Sequence, residues 1–196
     1  MSVLYLESAD ALAHLIRFYC PNAPALLDVT YGTGTMARKS PIPVLGVDID
    51  PSSRAQIVAD STNLPLKAGS YQAAVFDPPY LYGSASSHRG PVGAKTWDEK
   101  RTTWKKPMDL VLFSEKIAKE LGRVLIPGAT IFVKIMNSRF KGSLIRNDNV
   151  ITAAFDLHDQ FTLHDQLVYV RTVTGSFTNS RSSQMAHGFW LIFRRK

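Results

Sequence analysis

The sequence predicts a doubly wound α/β fold built around a mostly parallel sheet. Short apolar runs that end in a carboxylate recur along the first half of the chain, and segments with helical spacing of apolar residues occur among the runs. Runs that are apolar throughout are typical of strands buried on both faces of a parallel sheet. Right-handed crossovers would then place the helices on both faces.

The elements are predicted in order along the chain. Apolar residues at helical spacing predict an amphipathic helix at residues 8–19, a second helix at 108–122 and a short third helix at 149–157. Seven strands are expected, of which the last two pair antiparallel at the end of the chain. The strands cover residues 25–29, 44–48, 56–60, 71–77, 130–136, 163–173 and 187–194.

Length and composition limit the class of protein. A chain of 196 residues that is 45% apolar suits one globular domain, and we expect a single domain over residues 1–196. The lone Cys20 excludes an internal disulfide framework and fits a reducing compartment, so a cytoplasmic location is expected. No apolar run approaches the ~20 residues needed to cross a bilayer, which argues against a membrane protein.

The net charge of +7 arises in the middle of the chain. Residues 81–141 carry 12 basic and 5 acidic side chains, whereas residues 1–80 carry 5 basic and 7 acidic ones. Such asymmetry favours a polyanionic partner, with a merely solvated basic surface as the alternative.

The first strand is followed by a turn with two glycines. Gly32 and Gly34 allow a tight turn and close approach of a ligand to the backbone. We expect this turn to lead into a helix. Asp48, at the end of the second strand, is placed to accept hydrogen bonds from ribose hydroxyls. These features predict a nucleoside cofactor, and a nicotinamide or flavin enzyme remains an alternative because residues 32–37 satisfy a relaxed dinucleotide pattern.

The fourth strand runs directly into Asp77, Pro78, Pro79 and Tyr80. The two prolines remove two backbone donors and leave carbonyls and a carboxylate as acceptors. Acceptors directed at one point suit a ligand group that only donates, such as an exocyclic amine, and Tyr80 adds a flat face for stacking. The four strand-ending carboxylates should gather along one rim of the sheet. They are Asp28, Asp48, Asp60 and Asp77.

These motifs, taken in order, resemble the class I S-adenosylmethionine-dependent methyltransferases that modify amino groups of nucleobases, the DPPY family of adenine-N6 and cytosine-N4 DNA methyltransferases. Val29 and Thr30 depart from the family pattern. The resemblance implies a Rossmann-like methyltransferase fold, S-adenosylmethionine as cofactor and residues 77–80 as the catalytic motif. It implies cofactor contacts from Asp28, Thr30, Tyr31, Gly32, Gly34, Asp48, Ile49, Asp60, Ser61 and Asp77.

Residues 81–107 follow the motif with little periodicity and are predicted to form a long loop. Basic residues interleaved with tryptophans suit phosphate contact and base stacking, and the alternative is a surface loop that only closes over the cofactor. The candidate substrate contacts in this loop are Arg89, Lys95, Trp97, Lys100, Arg101, Trp104, Lys105 and Lys106; Lys134 and Arg181 are further candidates.

Aspartate at the first motif position inclines the resemblance toward adenine N6 in DNA, reached by base flipping. Three alternatives stay open: methylation of adenine N6 or guanine N2 in RNA, a catalytically silent partner subunit, and a nicotinamide oxidoreductase. No metal site is expected, since the histidines and the cysteine form no ligand cluster. With no separate target-recognition domain, selectivity would come from the loop, the shorter polar stretches, a homodimer or a second subunit.

Overall fold

The computed structural model describes residues 3–82, 104–170 and 187–196. Within these ranges the α-helices are α1 (Ser8–Tyr19), α2 (Pro107–Val124) and α3 (Asn147–Asp156), and a 3-10 helix covers Ala37–Lys39. The strands are β1 (Val3–Leu4), β2 (Leu26–Asp28), β3 (Val44–Asp48), β4 (Ile57–Val58), β5 (Tyr71–Phe76), β6 (Leu125–Ile135), β7 (Ser138–Phe140), β8 (Ser143–Ile145), β9 (Phe161–Val170) and β10 (His187–Arg195).

The main sheet has the strand order β1-β9-β10-β6-β5-β2-β3-β4. Strands β2 to β6 are paired in parallel, and β10 is antiparallel to both β6 and β9. The carboxyl ends of β2 to β6 therefore lie along one edge of the sheet, which we call the carboxyl edge. In open α/β sheets this edge is where ligands bind.

Helices cover both faces of the sheet. In β5, Ala73 and Val75 pack into the core on the α1 side, whereas Ala74 and Phe76 pack into the core formed with α2 and α3. This alternation follows from the period of two in a strand. Both faces of β5 are buried, as the run of apolar residues predicted.

The main sheet has eight strands in the described residues rather than the predicted seven. The additional strand is β1, in which Val3 and Leu4 pair in parallel with Val168 and Tyr169 of β9. Two residues are too few to show a periodic pattern, so the strand could be recognised only from its partner.

The glycine turn does not lead into an α-helix, so that prediction was wrong. Between β2 and β3 the described chain forms only the 3-10 helix Ala37–Lys39. The connection is short and also contains Pro41 and Pro43, whose missing N–H groups would interrupt an α-helix. The β3–β4 and β4–β5 connections are likewise without an α-helix.

Several element boundaries differ from the predicted ones. Helix α2 continues past Gly122 to Val124, and β6 starts at once with Leu125 instead of at residue 130. The strand observed as β9 was predicted to extend to residue 173, and residues 171–173 lie outside the described residues. No helix in the described ranges is long and apolar enough to cross a membrane.

Candidate functional site

A cleft of about 1120 Å³ opens at the carboxyl edge. The connections that follow β2, β3, β4 and β5 form its floor and one wall, and one side of α2 forms another wall. A cleft of this size is large enough for a cofactor and part of a second reactant. The predicted gathering of strand-ending groups therefore coincides with a cavity.

Asp28 lies beneath this cleft and is 1% exposed. Its Oδ1 accepts a hydrogen bond of 3.1 Å from the backbone N–H of Thr30. Burial raises the pKa of the Asp28 carboxyl to about 7; the Thr30 N–H opposes the shift, and the negative charges of Asp77 and Asp48 add to it. Asp28 is thus a buried acid that gains or loses its proton near neutral pH.

This burial makes stability depend on pH. Between the unfolded value of 3.8 and about 7, folded Asp28 keeps a proton that the unfolded chain has lost, so the free energy of unfolding falls as pH rises. Asp28→Asn, which stays neutral, should lose this dependence. We expect its stability relative to wild type to rise by roughly 3–4 kcal/mol from pH 4 to pH 7.5. Urea unfolding of both proteins at several pH values measures the difference, and parallel curves would contradict the expectation.

The glycine turn is held by Asp48. Its Oδ2 accepts a 2.6 Å hydrogen bond from Gly32 N–H, and its Oδ1 accepts one of 2.9 Å from Asp50 N–H. Gly32 has a φ of +54°, which favours glycine, and a Cβ built there would meet no atom within 4 Å. The backbone of Gly32 therefore borders open space in the cleft.

Tyr31 and Gly34 do not line the cleft but pack beside it. The ring of Tyr31 fills the space above Gly46, where an added Cβ would lie 2.3 Å from the ring carbon Cγ. A Cβ on Gly34 would lie 2.6 Å from the Tyr31 hydroxyl oxygen. The structure thus gives Tyr31 a packing role that holds the turn against β3.

The connection after β4 contains an exposed carboxylate, Asp60, and a buried serine, Ser61, that is hydrogen-bonded to the chain after β2. Asp60 is exposed, and its Oδ1 accepts hydrogen bonds of 2.8 Å from both the N–H and the hydroxyl of Thr62. Ser61 is buried, and its hydroxyl donates to the Val29 carbonyl at 2.7 Å. Ile49, after β3, is 64% exposed at the cleft wall. An apolar surface between carboxylates suits a flat ring with polar edges.

Asp77 is fixed by two groups that the sequence leaves far apart. Its backbone N–H donates to the Thr30 hydroxyl at 2.8 Å, and the Lys134 Nζ lies 3.3 and 3.2 Å from its two carboxylate oxygens. Burial by itself would lower the pKa of Lys134, but the Asp77 carboxylate together with smaller contributions from Tyr80 and Tyr169 opposes burial, and the pKa is raised. Lys134 is therefore a charged partner of Asp77.

The backbone carbonyls of the motif have different partners. The Trp104 indole N–H donates to the Pro79 carbonyl at 2.7 Å, and the Asn147 amide donates to the Tyr80 carbonyl at 3.3 Å. Among the described residues, no donor is bonded to the Pro78 carbonyl. Pro78 lines the cleft together with Asp77, Pro79 and Tyr80. The Asp77 carboxylate and the Pro78 carbonyl are thus adjacent acceptors of the motif, and in the described part of the chain only Lys134 donates to either of them.

The wall formed by α2 was not predicted. Its cleft-lining residues are Asp109, Leu112, Phe113 and Lys116. Their spacing is that of one helix face, so helical periodicity would have grouped them. Only the packing of α2 beside the motif, where Phe113 contacts Trp104 at a ring distance of 5.1 Å, identifies that face as part of the site.

The predicted site residues divide into four groups. Those that line the cleft are Thr30, Gly32, Asp48, Ile49, Asp60, Ser61, Asp77, Pro78, Pro79, Tyr80, Trp104 and Lys134. Asp28, Tyr31 and Gly34 lie beneath or beside it, and Lys105 and Lys106 are exposed at the start of α2. Arg89, Lys95, Trp97, Lys100, Arg101 and Arg181 lie outside the described residues.

Two predicted substrate contacts have intramolecular partners in this structure. Trp104, expected to stack on a base, donates its N–H to the motif and packs against Phe113, and Lys134 pairs with Asp77. Within the described ranges, no group of three or more His, Cys, Asp or Glu side chains could hold a metal ion.

Solved structures share the fold at low sequence identity. An S-adenosylmethionine-dependent methyltransferase from Methanosarcina mazei has a TM-score of 0.59 and 15% identity, covering 98% of this chain and 99% of that chain. A protein from Clostridium thermocellum proposed to be an rRNA-methylase has a TM-score of 0.57 and 14% identity over 98% of this chain and 100% of that chain. TrmN from Thermus thermophilus has a TM-score of 0.56 and 16% identity over 96% of this chain and 48% of that chain.

No protein-family model and no curated protein matches the sequence. At these identities the structural likeness shows the fold, an α/β Rossmann-like fold that S-adenosylmethionine-dependent methyltransferases share.

Proposed function

We propose that this protein transfers a methyl group from S-adenosylmethionine to an exocyclic amino group of a nucleobase, with adenine N6 in DNA as the favoured target. The observation that carries the proposal is the pair of acceptors in the cleft. Among the residues that the structure describes, Lys134 is the one donor to the Asp77 carboxylate and none bonds to the Pro78 carbonyl, while the Pro79 and Tyr80 carbonyls are occupied. Two adjacent acceptors match the two hydrogens of an amino group.

The residues of the cleft fit the cofactor. Open space beside Gly32 admits a ligand close to the backbone, and exposed Ile49 offers an apolar surface for an adenine ring. Asp48 and Asp60 lie on the same wall with carboxylate oxygens that have lone pairs to spare beyond the hydrogen bonds described. Asp28, beneath the turn, is the group that the family resemblance assigns to the amino group of the cofactor's methionine part.

Asp77 and Pro78 would perform the chemistry through hydrogen bonding. The lone pair of an aromatic amine is delocalised into its ring, which makes the nitrogen a poor nucleophile. Acceptance of both amine hydrogens draws the nitrogen toward a tetrahedral geometry and localises that lone pair. When bound, the cofactor supplies an electrophilic methyl group, and catalysis then rests on positioning and electrostatics.

Thr30 and Lys134 would keep Asp77 ready for this role. Thr30 bonds the backbone of Asp77, and Lys134 holds its carboxylate by Coulomb attraction at 3.2 Å. An anionic carboxylate is the stronger acceptor. Both groups therefore act on the substrate through Asp77.

Tyr80 would hold the target base once it has left the stack. It is half-buried and lines the cleft directly after the acceptors. Base flipping costs a few kcal/mol, and stacking on an aromatic ring recovers about 1–3 kcal/mol. The aromatic residue thus contributes to substrate binding and not to cofactor binding.

Two substitutions test whether Tyr80 serves the substrate and Asp48 serves the cofactor. Tyr80→Ala should lower turnover about 10- to 100-fold and leave the cofactor Kd within about twofold, since only stacking is lost. Asp48→Ala should raise the cofactor Kd about 10- to 100-fold, because it removes a charged acceptor and the anchor of Gly32. Calorimetric titration with S-adenosylmethionine beside a methylation assay measures both effects.

The control is Tyr5→Ala, which removes a tyrosine that is 77% exposed and lies outside the cleft. Equal loss of cofactor binding in the Tyr80 and Asp48 variants would overturn the assignment. Absence of methyl transfer by the wild-type protein on defined DNA and RNA would instead favour a silent partner subunit.

RNA is the second candidate substrate. The structural likeness to the protein proposed to be an rRNA-methylase covers 98% of this chain and 100% of that chain. An adenine or guanine in RNA presents the same kind of amine. Incubation with labelled cofactor and equal amounts of DNA and RNA, followed by identification of the methylated nucleoside, distinguishes the two.

A further inference from the structure

A short basic hairpin, not predicted from the sequence, follows β6. Strands β7 and β8 pair antiparallel with Phe140 opposite Ser143, so the turn between them has only two residues. Residues 137–147 contain three basic side chains and no acidic one. The three are Arg139, Lys141 and Arg146, all of them exposed.

The hairpin stands at the carboxyl edge, beside the chain segment that follows Tyr80. It begins three residues after Ile135, which ends the strand that carries Lys134. Phe140 contacts Tyr82 at a ring distance of 5.8 Å, and Tyr82 lies two residues beyond Tyr80 of the motif. The hairpin is therefore packed against the chain that leaves the catalytic motif.

Lys141 is the cation at the tip of the hairpin. Its φ of +49° and that of Gly142 at +85° are those of the tight hairpin turn that favours Asn-Gly or Gly-Gly. Arg139 donates to the Gly142 carbonyl at 3.0 Å and Arg146 pairs with Asp148 at 3.1 Å. In the described part of the chain, the Lys141 Nζ has no carboxylate within 4.0 Å and lies 5.5 Å from the centre of the Phe140 ring.

A lysine at this position strains the backbone of the turn but offers a positive charge for binding a polyanion. A side chain with a Cβ is strained at positive φ, so glycine would suit the turn better. An exposed cation without a carboxylate partner can neutralise a phosphate without first breaking an ion pair. The amine-binding cleft lies at the same edge, so a nucleic acid presenting a base to Asp77 would bring its backbone near this hairpin.

We propose that the β7–β8 hairpin binds the phosphodiester backbone of the nucleic-acid substrate through Lys141. The proposal rests on the function proposed above, because it requires a nucleic acid at the cleft. It adds a contact site outside the basic segment 81–107. The contact carries no base information and sets the register of the substrate at the cleft.

The test compares Lys141→Gly with Lys67→Ala. Glycine removes the cation and relieves the strained φ, so the melting temperature should stay equal or rise. Lys67 is an exposed lysine before β5, at the opposite edge of the sheet, and its replacement removes the same charge. Lys141→Asn is a second variant, because asparagine also tolerates positive φ.

The probes are a fluorescein-labelled 20-base-pair duplex DNA and an RNA duplex of the same sequence, measured by anisotropy from 50 to 300 mM KCl. Lys141→Gly and Lys141→Asn should weaken binding about five- to tenfold at 0.1 M KCl and reduce the salt slope by about 1. Lys67→Ala should stay within twofold of wild type. All variants should keep the wild-type affinity for S-adenosylmethionine.

Each outcome bears on the proposal. Weaker binding of both duplexes, or of one, supports the hairpin contact and identifies the backbone geometry that it accepts. If the wild-type protein binds and methylates a nucleic acid, but Lys141→Gly and Lys67→Ala have the same affinity for it, the hairpin contact alone is overturned. Failure of the wild-type protein to bind or methylate either nucleic acid would overturn the proposed function and the hairpin contact together.

Discussion

Asp77→Asn is expected to lower the methyl-transfer rate about 1000-fold while the Kd for S-adenosylmethionine changes less than about threefold. The amide keeps the shape of the side chain but loses the charge, and its NH₂ group would face the amine that must be bound. Groups that act on the reacting atoms in this way contribute typically 10²- to 10⁴-fold. Single-turnover methylation at saturating cofactor and substrate measures the rate.

The Lys134 ammonium requires a control. In Asp77→Asn the Lys134 side chain, 10% exposed, loses its charged partner, and an unpaired charge at a buried site destabilises a fold by several kcal/mol. The double variant Asp77→Asn/Lys134→Met removes both charges and should recover stability without recovering activity. A double variant with near wild-type rates would show that Asp77 does not touch the reacting amine.

Asn147→Ala is expected to lower the free energy of unfolding by about 3–5 kcal/mol. Asn147 has no exposed surface, accepts a 2.6 Å hydrogen bond from the Tyr82 hydroxyl and donates to the Met136 carbonyl at 2.8 Å and the Ser138 hydroxyl at 3.0 Å. Burial raises the pKa of Tyr82 to about 12, so its hydroxyl remains a donor. Alanine leaves these groups unsatisfied, at about 1–3 kcal/mol for each buried group.

The matched control for Asn147 lies two residues away. Asn149 is exposed at the start of the same helix, and Asn149→Ala should change stability by less than about 0.5 kcal/mol. Urea unfolding with a shared m-value compares the two variants. If Asn147→Ala costs no more than Asn149→Ala, the buried hydrogen bonds do not hold this part of the structure together.

Asn147 also links stability to the site. Its amide reaches the Tyr80 carbonyl at 3.3 Å and, through Tyr82, the start of the chain segment that leaves the motif. The same residue bonds Met136 and Ser138, at the junction of β6 and the basic hairpin. One buried side chain thus joins the motif, the strand that carries Lys134 and the hairpin.

Much of the site could be predicted because its signals are local. A carboxylate after an apolar run, glycines in a turn and two consecutive prolines each determine the backbone and the available hydrogen-bonding groups within a few residues. Parallel strands bring their carboxyl ends to one edge, so Thr30, Asp48, Asp60 and Asp77 could be placed together without coordinates. The structure brings these residues to one cleft.

Other features were not predictable because they depend on partners distant in the chain. Strand β1 is recognisable only by its pairing with β9, and the face of α2 joins the site only where it packs beside Trp104. The helix expected after the glycine turn is absent because a short connection with two prolines cannot complete it. The sequence around Asn147 gave no sign of its role, because its hydrogen-bond partners lie in separate segments of the chain.

The sequence alone determined the α/β class, the carboxylates at the carboxyl edge and the motif with its acceptors, because these follow from short-range backbone chemistry and the period of a buried strand. Tertiary structure decided which acceptors have partners and which cations remain available. Lys134 became the partner of Asp77, whereas Lys141 at the hairpin tip has no carboxylate partner within the described ranges. Charge pairing depends on distances between segments, and those distances exist only once the sheet has formed.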